Sequence, residues 1–274
     1  MSASTPRRAP ALRPTPKARP APGPTTARPV LLLQHETYHP QRILRALLDS
    51  EGLPFEECFL YDGGRPILQP ADYHAVLSLG GGMQVHEEMK YPFLVDEKAF
   101  LRGVLEAETP FLGICLGSQL LAEIAGGHVF ERDEAQVGWL PVDLVTPDPL
   151  LAGVDRQFVT LQWHSYSWTL PPHARLIAAR HDGMQACRVG RAAWGVQFHP
   201  DVDAPEMEEL ITLMRDDLER LQPLLSMELR RVTEVVIEQY QRFCRRLFRN
   251  FLGLAAELNA GSSTGKRDAG RRRA

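Results

Sequence analysis

Residues 110–127 constrain the fold of this chain more than any other stretch. Residues 110–114 are a short apolar run of the kind a buried parallel strand carries. Cys115 follows at once between Gly113 and Gly117, and residues 119–125 read as a helix ended by Gly126 and Gly127. Strand, tight turn and helix, with a nucleophile at the tip, is a nucleophile elbow in the form G-x-C-x-G. The flanking glycines allow a strained turn and let a substrate approach. A helix N-terminus behind Cys115 favours the thiolate, its reactive form. The competing reading is a small core residue, because free cysteine is among the most often buried types. The rest of the chain has to decide.

Upstream of the elbow, strand-like and helix-like segments alternate. Residues 29–34 form a continuous apolar run and 55–61 a second strand, with Asp62-Gly63-Gly64 as its turn. Residues 74–79 form a third strand, running into Gly80-Gly81-Gly82, and Tyr91-Pro92 introduces a helix over 93–107. Such alternation predicts an α/β fold: an open, mostly parallel sheet with helices on both faces. Ligands on such sheets bind at the carboxyl ends of the strands, where both the triple glycine and Cys115 fall. The glycine spacing is neither G-x-G-x-x-G nor a P-loop with its lysine. Backbone N–H groups facing an oxyanion fit better, as a thiolate attacking a carbonyl requires.

His35-Glu36-Thr37-Tyr38-His39 matches the H-E-x-x-H zinc-protease pattern letter for letter. That motif works only with both histidines one turn apart on a helix. Here Pro40 follows and reads as the N1 residue of a helix over 41–50, which leaves the pattern in a strand-to-helix loop. No metal site is read from it.

Past Gly127 come short β-like pieces at 128–131, 138–145, 158–163, 176–180, 185–189 and 192–198, read as antiparallel strands and hairpins in the second half. The last runs into His199-Pro200-Asp201. A histidine at a strand end, two residues before a carboxylate, completes a Cys-His-acid constellation. The imidazole takes the thiol proton and later protonates the leaving amine, while the carboxylate fixes its tautomer. The alternative makes His199 a surface residue and Asp201 the N-cap of a helix starting near Pro205. The order Cys, His, acid disfavours the α/β-hydrolase fold, where the acid precedes the histidine.

Beyond about residue 205 the chain reads as a helical extension. Val232, Val236, Tyr240, Phe243, Leu247 and Phe251 form an apolar stripe, and Arg230, Arg231, Arg242, Arg245, Arg246 and Arg249 supply much of the charged surface. This is either a helix covering the sheet or a docking helix for a synthase or another protein chain.

Composition limits what such a fold can do. Four scattered cysteines with no C-x-x-C argue against a disulfide framework or a zinc ribbon and for a reducing compartment. No apolar run is long enough to span a membrane. Residues 1–28 are Pro/Arg-rich and read as a disordered tail, with a transit peptide or docking tail as the alternative. They lack the apolar core of a secretory signal, so export is not expected. Residues 259–274 read as a second disordered basic tail. Between the tails lies the domain, 29–258, whose net charge of about −13 speaks against a general nucleic-acid binder.

Residues 113–119 together with Gly195-Val196-Gln197-Phe198-His199-Pro200-Asp201 resemble the class I, triad-type glutamine amidotransferases. The likeness extends to Gly80-Gly81-Gly82-Met83, Gly138-Trp139-Leu140-Pro141-Val142 and Trp163-His164-Ser165. It covers residues 29–254 or so and is greatest to stand-alone, GMP-synthase-like members. The resemblance implies a flavodoxin-like sheet, with Cys115 as nucleophile, His199 as base and Asp201 as third member. It implies an oxyanion hole from the backbone N–H groups of Gly81 and Leu116. Gly82, Gln119, Ser165 and Tyr166 would face the γ-glutamyl substrate. Two departures stand out: the family usually has Glu at the position of Asp201, and often Pro at that of Gly82, which would leave the loop more mobile.

The expected activity is hydrolysis of a γ-glutamyl amide through a Cys115 thioester, in the cytoplasm, with no metal and no cofactor. The expected partners are glutamine or a γ-glutamyl small molecule and a separate synthase or acceptor subunit, with no nucleic acid or membrane; a homo-oligomer stays open. Alternatives on the same fold are a γ-glutamyl peptidase acting on glutathione-like compounds and a non-catalytic binding or regulatory protein. A Cys-elbow chaperone or glyoxalase is a further one, but it would not predict the His-Pro-Asp strand end.

Overall fold

A computed structural model of the chain describes residues 27–37 and 41–271, the last ten by backbone alone. The N-terminal tail over 1–26, His39 and the helix-opening Pro40 lie outside the described residues. The strands are β1 Val30–Gln34, β2 Phe55–Phe59, β3 Ala75–Ser78, β4 Phe111–Ile114, β5 Val129–Leu144, β6 Gln157–Trp168, β7 Arg175–Arg180, β8 Gly183–Val189 and β9 Ala193–Val196. The helices are α1 Arg42–Ser50, α2 Phe93–Glu106, α3 Leu116–Ile124, α4 Ala204–Leu213, α5 Arg215–Leu221 and α6 Leu225–Arg271. Among the described residues no helix is long and apolar enough to cross a membrane.

All nine strands join one sheet in the order β2-β1-β3-β4-β9-β8-β7-β5-β6. The first five pair in parallel and the rest antiparallel. Strands β1, β3, β4 and β9 are buried on both faces, which is why they read as unbroken apolar runs. On one face Leu44, Leu47 and Leu48 of α1 and Tyr240, Leu247, Phe248 and Phe251 of α6 cover Leu32, Leu77, Trp194 and Val196. On the other, Leu94, Leu101 and Val104 of α2 and Leu120 and Leu121 of α3 cover Leu31, Leu33, Val76 and Phe111. The apolar stripe of α6 therefore covers the sheet. Its arginine side partly pairs with the body: Arg230 bonds Glu208 on α4 at 2.8 Å, and Arg246 bonds the Gly153 carbonyl.

Several boundaries differ from the sequence reading, for local reasons. Strand β2 stops at Phe59, where residues 60–62 close a 3-10 turn ending in Gly63 at φ 77°. The pieces at 128–131 and 138–145 are one strand, interrupted by a register shift between Glu131 and Gln136. The polar residues 132–135 hide that continuity. Helix α1 starts at Arg42, because Gln41 is a left-handed N-cap at φ 54° and not a helical residue. Helix α3 begins at Leu116, directly behind the cysteine, earlier than the apolar period marks. Helix α6 runs through 259–271, where composition reads as a tail; no proline interrupts it, and each added residue of a formed helix gains one hydrogen bond.

Candidate active site

Cys115 occupies the junction of β4 and α3 with φ 50° and ψ −105°, a conformation an L-residue rarely holds. Its N–H donates to the Val196 carbonyl at 2.8 Å, tying the elbow to β9. Its own carbonyl accepts from Ser118 N at 3.0 Å, Ser118 Oγ at 2.7 Å and Gln119 N at 3.1 Å. The flanking glycines do a different job from the one read in the sequence. A Cβ on Gly113 would lie 2.3 Å from the Gly117 carbonyl oxygen, and one on Gly117 would lie 2.0 Å from that of Ser78. They let α3 settle onto β3 and β4, and the backbone strain sits on Cys115 itself.

Parallel pairing of β4 with β9 aligns Gly113 with Gly195 and Ile114 with Val196, so the chain leaves both strands side by side. Two residues past Gln197, His199 is buried with Nδ1 3.2 Å from Asp201 Oδ1. Its backbone N–H donates to Leu161 at 3.0 Å, and the Tyr240 hydroxyl of α6 donates to its carbonyl. Burial alone would lower the pKa of His199. The negative charge and hydrogen bonding of Cys115 and Asp201 outweigh it and raise that pKa well above the ordinary histidine value. The capping alternative for Asp201 fails, because α4 is capped by Asp203 in a capping box with Glu206. Asp201 instead accepts from Gln41 Nε2 at 3.0 Å through Oδ2, which leaves Oδ1 toward the imidazole.

The glycine loop lies against this pair. A Cβ on Gly80 would come 2.8 Å from His199 Cε1 and 3.7 Å from Cys115 Cβ, so only glycine fits. The Gly80 carbonyl accepts from His35 Nδ1 at 3.2 Å, and Gly82 N–H donates to Glu36 at 2.7 Å. A proline in place of Gly82 would lack that N–H; glycine here anchors the loop where the family resemblance suggested looseness. The other ring nitrogen of His35 meets both carboxylate oxygens of Glu97, at 2.9 and 3.0 Å. The first histidine of the H-E-x-x-H pattern is thus wholly engaged by protein.

A cavity of about 630 Å³ opens above Cys115. Of the residues singled out in the sequence, it brings together Gly81, Gly82, Cys115, Gln119, Ser165, Tyr166, His199 and Asp201. Leu116 is buried beside it; as the first residue of α3 its N–H has no intrahelical acceptor. Gln119 Nε2 is placed 3.4 Å from both the Tyr166 carbonyl and Gln197 Oε1.

Three neighbours escaped the sequence reading. Gln197 Nε2 lies 3.7 Å from Cys115 Sγ, and its signal was its place two residues before His199 at the strand end. Gln41 gave no local signal. His164 lines the cavity with neither ring nitrogen bonded to protein. Burial, followed by the charge of His199 and Arg132, lowers its pKa to about 3, which keeps it neutral. Its signal was the Trp-His-Ser run it belongs to.

Residues 66–213 match the model of the family described as glutamine amidotransferase class-I. The chain is similar to a Sulfurisphaera tokodaii protein that is one of the subunits of a glutamine-hydrolyzing GMP synthase. The two are 31% identical over 146 residues, which make up 52% of this chain and 74% of that one. It is 29% identical over 174 residues to the glutamine-hydrolyzing GMP synthase of Thermomicrobium roseum, covering 63% of this chain but spanning only 31% of that longer protein. Among solved structures, a glutamine amidotransferase from Thermotoga maritima superposes with a TM-score of 0.77 at 27% identity, over 83% of this chain and 99% of that one. One from Methylobacillus flagellatus shares the fold with a TM-score of 0.76 at 22% identity, over 84% and 96% of the two chains.

Proposed function

This chain belongs to the class I glutamine amidotransferase family, and from that premise we propose that it hydrolyses γ-glutamyl amides at Cys115 through a thioester. The observation that carries the reading is the strained Cys115 beside a buried His199–Asp201 pair at the floor of an open cavity.

In the proposed reaction the Cys115 thiolate attacks the side-chain carbonyl carbon of glutamine or a γ-glutamyl compound. The oxyanion that forms is received by the N–H groups of Gly81 and Leu116. His199, as imidazolium, gives its proton to the leaving nitrogen, the C–N bond breaks, and ammonia or an amine departs, leaving the thioester. Neutral His199 then takes a proton from water, the hydroxide attacks the thioester, and glutamate leaves to restore the thiolate–imidazolium pair. Asp201 holds the Nδ1–H and stabilises the charged ring in both halves. Gly82, Gln119, Ser165 and Tyr166 bind the γ-glutamyl part, and His164 offers a neutral imidazole to it.

One relative's name bears on the partner. The Sulfurisphaera protein is named as one of several subunits of a GMP synthase, which supports a separate acceptor protein for this chain. Four unpaired, buried cysteines favour a reducing, cytoplasmic setting. A second reading, γ-glutamyl peptidase, is favoured by one feature: the cavity continues past the triad to an apolar wall of Leu210, Met214 and Leu221 on and between α4 and α5. That wall would suit an amine larger than ammonia.

The experiment is glutamate release from free glutamine and from a panel of γ-glutamyl peptides, with Cys115→Ala as control. Turnover of glutamine lost in the variant supports the amidotransferase; turnover of peptides alone supports the peptidase. With neither, mass-spectrometric absence of a Cys115 acyl adduct would leave a binding protein.

A further inference from the structure

Two adjacent side chains at the end of β1 hold the glycine loop on both sides of Gly81. His35 Nδ1 is bonded to the Gly80 carbonyl at 3.2 Å, and Glu36 Oε1 accepts from Gly82 N–H at 2.7 Å. We propose that His35 and Glu36 are positioning residues that turn the Gly81 N–H into the cavity and keep it there before substrate arrives. The proposal rests on the reading of Cys115 as a nucleophile whose oxyanion needs that donor.

A carbonyl oxygen only accepts, so His35 Nδ1 carries the hydrogen. In a trans peptide the C=O and the following N–H point to opposite sides. With the Gly80 carbonyl turned onto His35, the Gly81 N–H faces away from it. Cys115 and His199 stand against Gly80, and Gly81 lines the cavity. The backbone of Gly81 rests on His35 from the other direction: a Cβ there would meet His35 Cβ and Leu116 Cδ2, each at 2.9 Å. A flip of the Gly80–Gly81 peptide would put a carbonyl oxygen where the N–H stands and leave a buried imidazole N–H unpaired, which is unfavourable.

The clamp is itself held. The side chains of His35 and Glu97 are both fully buried, with Nε2 between the two carboxylate oxygens at 2.9 and 3.0 Å. Ser78, the last residue of β3, donates its hydroxyl to the same carboxylate at 2.8 Å. Burial lowers the pKa of His35 but the charge and hydrogen bond of Glu97 outweigh it, so the ring keeps both hydrogens as a donor on each side. An ion pair deep between β1, β3 and α2 thus sets the direction of one loop peptide.

Two substitutions separate this role from a general need for the core. Asparagine places its amide nitrogen where Nδ1 stands, and glutamine places its own where Nε2 stands. His35→Asn keeps the donor to Gly80 and loses Glu97; His35→Gln does the reverse. On the substrate that the wild type hydrolyses, kcat of His35→Gln is expected to fall about 100- to 1000-fold, the cost of one oxyanion donor, with KM within about threefold. His35→Asn should stay within about tenfold of wild type, and alkylation of Cys115 by iodoacetamide, which forms no oxyanion, should be unchanged in both. Equal losses in the two variants, or alkylation falling in step with kcat, would overturn the proposal. Should the wild type hydrolyse nothing, the reading of Cys115 fails separately, and crystal structures of the variants decide the clamp: a Gly80–Gly81 peptide rotated in His35→Gln and retained in His35→Asn supports it, and one unmoved in His35→Gln refutes it.

Discussion

The side-chain amide of Gln41 donates to Asp201 Oδ2 at 3.0 Å, joining residues 160 positions apart in the chain. Asp201 is one methylene shorter than the glutamate usual at this position in the family, and Gln41 reaches it from the far side and fixes the carboxylate plane. Gln41 sits there at φ 54°, a left-handed backbone that a glutamine adopts only under constraint. Removing a hydrogen bond to a charged group costs about 1.5–3 kcal/mol, so Gln41→Ala should lower kcat/KM about 10- to 100-fold. Gln41→Gly relieves the backbone and should be as slow as the alanine variant yet at least as stable by thermal melting. Recovery of the rate in the glycine variant would mean that strain, and not the bond, is what matters.

Asp201 and Cys115 together raise the pKa of His199 against the burial that lowers it. The imidazolium is the form that protonates the leaving nitrogen, so the alkaline limb of the rate profile belongs to the coupled pair and lies well above pH 6.5. Replacing the carboxylate by an amide withdraws one of the two supporting charges. Asp201→Asn should therefore lower kcat/KM by about 10²–10⁴ and move the alkaline limb to lower pH. A pH–rate profile that keeps its alkaline limb in place would show that Asp201 does not face the reacting imidazole.

The glycines of the elbow and of the loop should respond to alanine very differently. On Gly117 a methyl would lie 2.0 Å from the Ser78 carbonyl oxygen, and on Gly113 2.3 Å from that of Gly117, both backbone atoms with nowhere to go. Either change should cost about 3 kcal/mol or more by urea unfolding. On Gly82 a methyl meets only the flexible Glu36 carboxylate, at 2.6 Å, and the loss should stay within about 1 kcal/mol. Gly80→Ala is intermediate in kind: its methyl meets a side chain, His199 Cε1 at 2.8 Å, so activity should fall before stability does.

What the sequence made legible follows from how local each signal is. The runs that became β1, β3, β4 and β9 read as strands because helices bury both their faces. The elbow and the His-x-Asp strand end read as chemistry because each constellation is compressed into a few residues. The contacts that hold them were illegible: Gln41 on Asp201, His35 on Glu97 and Gln197 on Cys115 join residues 160, 62 and 82 positions apart. Between Asp201 and Asp203 the capping role was decidable, since Asp203 and Glu206 alone have the spacing of a capping box. The join in β5 was not, because its middle is polar and the strand changes register there.

His164 links the substrate cavity to the pH dependence of folding. Its ring nitrogens have no protein partner, and burial, with His199 and Arg132, holds its pKa near 3 against about 6.5 for an exposed histidine. Between those values the unfolded chain binds a proton that the native state refuses, so this group's contribution to stability is complete above about pH 6.5 and declines as pH falls toward 3. From about pH 7 to about pH 5 the decline is roughly 2 kcal/mol. Other groups titrate in the same window, Glu206 with a pKa of about 7 among them and with the opposite sign. The comparison that isolates His164 is therefore the difference between wild type and His164→Gln, each unfolded by urea at both pH values. The variant should lose roughly 2 kcal/mol less than wild type on that descent. Equal losses would mean that the native protein admits the proton, through an opening of the cavity that lets His164 charge without unfolding.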